Sequence, residues 1–129
     1  MTILFGILAG LISFAIGGAW YGIIFRDAWI IASGIDMAKI EADRQAGNKG
    51  QKEMVLSLLF EILTAIIAVF FIKSLGISPL YAASLMGLLS ALASVKNYLF
   101  EQRPIQLILI NETYKVICFL IAGLFALMA

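Results

Sequence analysis

Four long runs of apolar residues, separated by three polar links, dominate the pattern along the chain. The runs cover residues 2–25, 54–72, 80–100 and 105–129, and the first contains no charged residue. Crossing about 30 Å of hydrocarbon takes roughly 20 helical residues, so each run is long enough to span a membrane. Uninterrupted apolarity, without alternation, favours helices over a barrel. The pattern therefore predicts an all-α integral membrane bundle of four transmembrane helices, forming a single membrane domain over residues 1–129.

The links define how these helices are connected. The second and third links are short, so the last three helices must run antiparallel to their neighbours. The first link, residues 26–53, is longer, and its segment 36–45 places Met37 and Ile40 on one face among charged residues. This segment predicts a short amphipathic helix in the headgroup region, with a solvated loop as an equally good alternative.

Positive charge is distributed unevenly between the two sides of the predicted bundle. Seven of the nine Lys and Arg residues lie in or beside the first and third links: Arg26, Lys39, Arg44, Lys49, Lys52, Lys96 and Arg103. The opposite side has Lys73 alone. Because cytoplasmic links are enriched in Lys and Arg, the link 26–53 is predicted to be cytoplasmic and both termini outside.

Composition narrows the function classes. The chain is 63% hydrophobic and 13% charged, with a net charge of +1, so we expect the lipid bilayer as a partner and no nucleic acid. It has no histidine and one cysteine, Cys118, which argues against a metal site. No set of residues resembles a nucleophile with its base or a phosphate-binding loop. The sequence thus predicts neither a cofactor nor an enzyme.

Small residues recur at helical spacing in the apolar runs. The first run contains Gly6 and Gly10, then Gly18 and Gly22, and the third has a similar stripe. Such stripes allow close approach of helix backbones, within one chain or between chains. Packing within the chain is the better explanation of the stripes, and we also expect the protein to form a homo-oligomer.

Four ionisable residues interrupt the last three apolar runs: Glu61, Lys96, Glu112 and Lys115. At about 1.5 Å per residue, Glu61 and Glu112 both lie about 12 Å from the cytoplasmic ends of their helices. Charges at such depth are costly and usually face a bundle interior or a wet cavity. The simplest arrangement is a network in which the two acids are shared between Lys96 and Lys115.

Two interpretations of this polar set remain open. In the first, it lines a cytoplasmic-side cavity that binds or passes an ion or small polar solute, as a transporter or channel would. In the second, the charges only fix helix packing or contact a partner of an accessory protein. The candidate cavity residues are Trp20, Tyr21, Glu61, Lys96, Asn97, Glu112, Tyr114 and Lys115.

Several short motifs also resemble those of a known family. They are Trp20-Tyr21, then Phe25-x-x-Ala28-Trp29, then Asn97-Tyr98-Leu99-Phe100-Glu101-x-Arg103-Pro104, with Tyr114 in the last run. Together they resemble a family of small bacterial membrane proteins catalogued as domain of unknown function seventeen sixty-one. The resemblance implies four transmembrane helices and a bacterial inner membrane, and it implies no activity. Asn111 and Lys115 depart from the family pattern, which has an acid and often a histidine at these positions.

Overall fold

The computed structural model describes all 129 residues, and the chain is helical without any strand. The helices are α1 (Thr2–Ala19), which continues as a π-helical turn (Trp20–Ile24), α2 (Arg26–Ser33), α3 (Met37–Gln45), α4 (Gln51–Ser74), α5 (Pro79–Phe100) and α6 (Ile105–Met128). Four of these are long and apolar enough to cross a membrane: α1 with its π-helical turn, α4, α5 and α6. The all-α fold with four membrane-spanning helices is therefore confirmed.

The boundaries of the long helices follow local sequence signals. Pro79 is the first residue of α5, where its missing N–H costs no helical hydrogen bond, and Pro104 immediately precedes α6. Helix α4 begins at Gln51, three residues before the predicted apolar run, directly after Gly50 in a left-handed conformation. The polar residues that open α4 are compatible with a helix that extends beyond the hydrocarbon.

Helix α6 occupies the centre of the bundle and packs against α1, α4 and α5. The main core lies towards the ends of α4 and α6 that are farthest from α2 and α3. It consists mostly of small or β-branched residues: Ala68, Val69, Ile72, Ala82, Ala83, Ala122 and Ala126. Most larger apolar side chains are exposed on the outside of the bundle, as expected where lipid is the solvent. By contrast, α4 and α5 touch each other at few points.

Glycines of α1 allow close contact with α4. A Cβ atom added to Gly6 would lie 2.6 Å from the Cα of Ile66, and one added to Gly10 would lie 2.5 Å from the Cα of Ile62. No side chain fits at either position unless the helices separate. This half of the α1 stripe therefore joins helices within one chain. Gly18 and Gly22, in the other half, face open space.

The first link contains two short helices, of which the sequence predicted one. The predicted segment 36–45 forms α3, and the Asp36 carboxylate accepts hydrogen bonds from the Ala38 and Lys39 amides at 3.0 and 3.3 Å. All residues of α3 are exposed. Helix α2 was missed, although an acid in its first turn and Gly34 as a left-handed cap are typical helix signals.

Candidate functional site

The π-helical turn at the end of α1 positions two aromatic residues of the site. The Phe25 amide donates to the Trp20 carbonyl at 2.9 Å, five residues back, so the turn contains an extra residue. Such turns are rare and occur frequently at functional sites. Here the turn lets Trp20 and Tyr21 both point towards α6, as their hydrogen bonds show.

A chain of hydrogen bonds connects the π-helical turn to α6 and α5. The Trp20 Nε1–H donates to the Ile110 carbonyl at 3.0 Å, and the Tyr21 hydroxyl donates to Asn111 Oδ1 at 2.9 Å. The Asn111 amide in turn donates to the Tyr98 hydroxyl at 3.2 Å. Trp20, Tyr21 and Tyr98 belong to the family motifs. Asn111 bonds to two of them although it departs from the family pattern.

Aromatic contacts extend the same site. The Tyr21 ring packs edge-on against both Trp29 and Tyr114, with centroid distances of 5.3 and 5.4 Å. The Tyr114 hydroxyl donates to the Ser13 carbonyl of α1 at 2.8 Å. It also occupies the space beside Gly17, where an added Cβ would lie 2.6 Å from the hydroxyl oxygen. These contacts fix Tyr114 between α1 and α6.

Glu112 and Lys115 form a closed ion pair on α6. The Lys115 Nζ lies 2.9 Å from Glu112 Oε2 and 3.2 Å from Oε1, and it donates to Ser94 Oγ of α5 at 2.7 Å. The Glu112 side chain is 8% exposed. Residues three apart lie on one face of a helix, so the pair forms within a single turn. The positive charge of Lys115 is thus already neutralised by Glu112.

Glu61 has a different environment. Its side chain is half-buried, forms no ion pair, and lies beside the Tyr114 hydroxyl and the Cys118 thiol. The predicted sharing of both acids between two lysines is therefore not formed. Of the two acids inside the apolar runs, Glu112 forms an ion pair with Lys115 and Glu61 forms none.

Lys96 and Asn97 do not join the other candidates. Both are exposed and contribute neither a hydrogen bond to the polar set nor a wall of a cavity. The reason is helical geometry, because Ser94 and Tyr98, four residues apart, point towards α6 and leave Lys96 and Asn97 on other faces of the helix. The small-residue stripe of α5, which ends at Ser94, is the sequence signal for the correct face.

A cavity of about 530 Å³ lies against α6, mainly beside α4, and extends across the middle of the bundle from the level of Ser57 to that of Ala68 and Ala122. Its polar lining residues are Ser13, Tyr21, Ser57, Glu61, Thr64, Ser90, Asn111, Tyr114, Lys115 and Cys118, and its apolar ones are Phe60, Ala65, Ala68, Phe119 and Ala122. A second cavity of about 510 Å³ lies between α1 and α4, beside Gly18 and Gly22. Glu61, Tyr21, Ser57 and Tyr114 line both cavities.

Comparison with known proteins gives a family and no activity. No curated protein and no solved structure matches the chain. A family model matches residues 4–127, nearly the whole sequence, and its description is "Protein of unknown function (DUF1761)". The resemblance noted from the short motifs is thereby confirmed, and the chain belongs to this family of unknown function.

Proposed function

We propose that this membrane protein binds or passes an ion or small polar solute through the cavity around Glu61. The single observation that carries the proposal is that Glu61 lines a cavity of about 530 Å³ without an ion-pair partner. An acid inside a membrane-spanning helix is costly by a few kcal/mol and is usually retained for a function. A cationic group entering the cavity would offset that cost.

The two membrane acids have different parts in this proposal. Glu112 is neutralised by Lys115 and serves to hold α6 and α5 in register. Glu61 alone offers a free carboxylate to a ligand. This is narrower than the hypothesis from the sequence, in which both acids bind the solute and both lysines assist.

The proposed setting is a bacterial inner membrane, with both termini outside and the end that carries α2 and α3 in the cytoplasm. The support is the excess of Lys and Arg at that end of the bundle. In this orientation Glu61 lies in the cytoplasmic half, and the cavity extends from it across the middle of the membrane. We also propose a homo-oligomer, since the stripe at Gly18 and Gly22 has no neighbour within its own chain.

A second candidate function is that of a structural or accessory membrane protein. The closed Glu112–Lys115–Ser94 arrangement supports it, because such a network serves helix register and leaves no free group for a ligand. On this alternative, Glu61 would contribute to packing or contact a protein partner, and no solute would stabilise the chain.

The test uses purified protein in detergent and in liposomes. Inorganic cations and small polar solutes are screened for a rise in melting temperature, and those that bind are then measured for flux. Glu61→Gln should abolish both responses, because it removes the charge and keeps the shape. Glu53→Gln is the matched control, since it removes an acid from the exposed start of the same helix and should leave both responses intact. Responses that persist in Glu61→Gln would disprove the role of Glu61.

A further inference from the structure

We propose that the ligand met by Glu61 is an organic ammonium ion with an apolar body, which enters the cavity from the surrounding lipid. The inference rests on the proposed function and names its ligand class. Four observations support it: the charge of the lining, the aromatic walls, the size of the cavity and the position of its opening.

The charge of the lining favours a single cation. Glu61 is the one acid among the residues that line the larger cavity, and Lys115 in the same wall is held by Glu112 and Ser94. The cavity therefore presents one carboxyl group that has no counter-charge in the chain. A ligand with one positive charge would form an ion pair with this carboxylate, whereas an anion would be repelled.

The walls beside Glu61 suit an ammonium group. Tyr114 lies next to the Glu61 carboxyl, and its ring is in edge contact with Tyr21, which also lines the cavity. Aromatic faces attract ammonium ions by about 0.5–2 kcal/mol, more when the cation is desolvated. Beyond them, Phe60, Phe119 and several alanines form an apolar surface that would contact the rest of the ligand.

The size of the cavity fits a small organic molecule. Ligand pockets typically enclose about 300–1,000 Å³, and this cavity encloses about 530 Å³. A divalent ion prefers about six or more oxygen ligands held close together. A single carboxylate in a cavity this wide, with large apolar walls, matches that preference poorly.

The opening lies where α4 and α5 separate. The two helices touch at few points, and Phe60 of the cavity wall is 64% exposed on the outside of the bundle. Ser57 and Thr64, one turn to either side, are also exposed. Because this surface belongs to membrane-spanning helices, it faces lipid. A ligand with an apolar body would concentrate in the bilayer and reach Glu61 from the lipid through the opening between α4 and α5.

The test measures binding of benzylammonium to purified protein in detergent, by thermal shift and by calorimetry. Benzyl alcohol is the neutral analogue of similar shape, and sodium and potassium serve as inorganic cation controls. We expect benzylammonium to bind more tightly than any of these. Glu61→Gln should weaken it by roughly 10- to 100-fold, which corresponds to about 1.4–2.8 kcal/mol, whereas Glu53→Gln should leave it unchanged.

A second measurement needs no variant. Cys118 is the single cysteine and lines the same cavity, so its conversion to a methyl disulfide by methyl methanethiosulfonate, which releases methanesulfinate, can be followed by intact mass. Benzylammonium should slow this reaction in the wild-type protein, and benzyl alcohol at the same concentration should not. Equal rates with and without benzylammonium would overturn the proposal, even if Glu61→Gln fails to fold.

The ammonium group could belong to a free amine or to a lipid headgroup. Native mass spectrometry with phosphatidylethanolamine and phosphatidylglycerol of identical acyl chains separates the two sources. Retention of phosphatidylethanolamine that depends on Glu61 identifies the lipid, whereas equal retention of both lipids with tight benzylammonium binding identifies a free amine. Either result supports the ligand class.

Other outcomes would separate this inference from the function it rests on. Binding of sodium, potassium or polar neutral solutes that depends on Glu61, without any binding of benzylammonium, would overturn the inference and leave the proposed function standing. Absence of any Glu61-dependent ligand would overturn both. If the oligomer dissociates in Glu61→Gln and no cation binds the wild-type protein, the cavity around Glu61 is an interface between copies of the chain and the inference fails.

Discussion

The two helix pairs of the bundle, α5–α6 and α1–α4, differ in whether the polar side chains at their interface have partners. The α5–α6 pair is closed along its length. At one end a Cβ added to Gly123 would lie 2.6 Å from the Ala83 side chain, and at the other Asn111 donates to Tyr98 at 3.2 Å. Lys115 bonds to α5 between these points. Each of these polar side chains therefore has a partner within the interface.

The α1–α4 pair is closed over half of its length. Gly6 and Gly10 allow contact with the backbone of α4. At Gly18 and Gly22, by contrast, an added Cβ would have no neighbouring atom within 4 Å. Glu61 lies on α4 next to Ile62, at the edge of the closed part, and it lines both the cavity that opens between α1 and α4 beyond this contact and the larger cavity against α6. The comparison shows that helix separation, and not the type of residue, decides whether a membrane acid is available to a ligand.

The largest expected difference between the two pairs comes from removing charge. Lys115→Met should lower the free energy of unfolding by about 3–5 kcal/mol, because it leaves Glu112 buried without a counter-charge. Glu61→Gln should not lower it by more than about 1 kcal/mol, because that carboxylate has no ion-pair partner to lose. Chemical unfolding in mixed micelles, followed by circular dichroism, measures both.

The double variant Glu112→Gln with Lys115→Met sharpens this result. Without either charge, nothing buried is left uncompensated, so most of the lost stability should return. Equal destabilisation by Lys115→Met and Glu61→Gln would contradict the distinction between a closed pair and an open acid.

A smaller difference is expected from adding a methyl group to α1. Gly10→Ala should lower stability by about 1–3 kcal/mol, because its Cβ would lie 2.5 Å from the Cα of Ile62 and α4 would have to move. Gly18→Ala meets no atom within 4 Å and should be neutral or stabilise by up to about 1 kcal/mol through helix propensity. The same unfolding assay applies, and similar losses for both would show that α1 and α4 do not separate.

The smallest expected difference concerns single hydroxyl groups. Tyr98→Phe removes the acceptor of the Asn111 amide in the closed α5–α6 pair and should cost about 0.5–1.5 kcal/mol. Thr64→Val, in the exposed wall of the open cavity, should change stability by less than about 0.5 kcal/mol. A larger loss for Thr64→Val than for Tyr98→Phe would reverse the comparison.

The polar set could be predicted from the sequence only in part. Glu112 and Lys115 lie on one helix, and their spacing of three residues places them together whatever surrounds them. Lys96 was expected with them because it lies in the same half of the predicted bundle, but position along a helix does not give direction around its axis. Ser94, which actually bonds to Lys115, is on the correct face, and the small-residue stripe it completes was the available signal.

By itself the sequence determined that the chain has four helices long and apolar enough to span a membrane, and where along its helix each charge lies. These depend on local composition and on the fixed rise of a helix, which need no knowledge of neighbours. Only the tertiary structure decided that Glu112 is buried in an ion pair and that Glu61 lines a cavity without one. That outcome depends on the rotation of each helix and on where α1 and α4 separate, which are set by contacts between residues far apart in the chain.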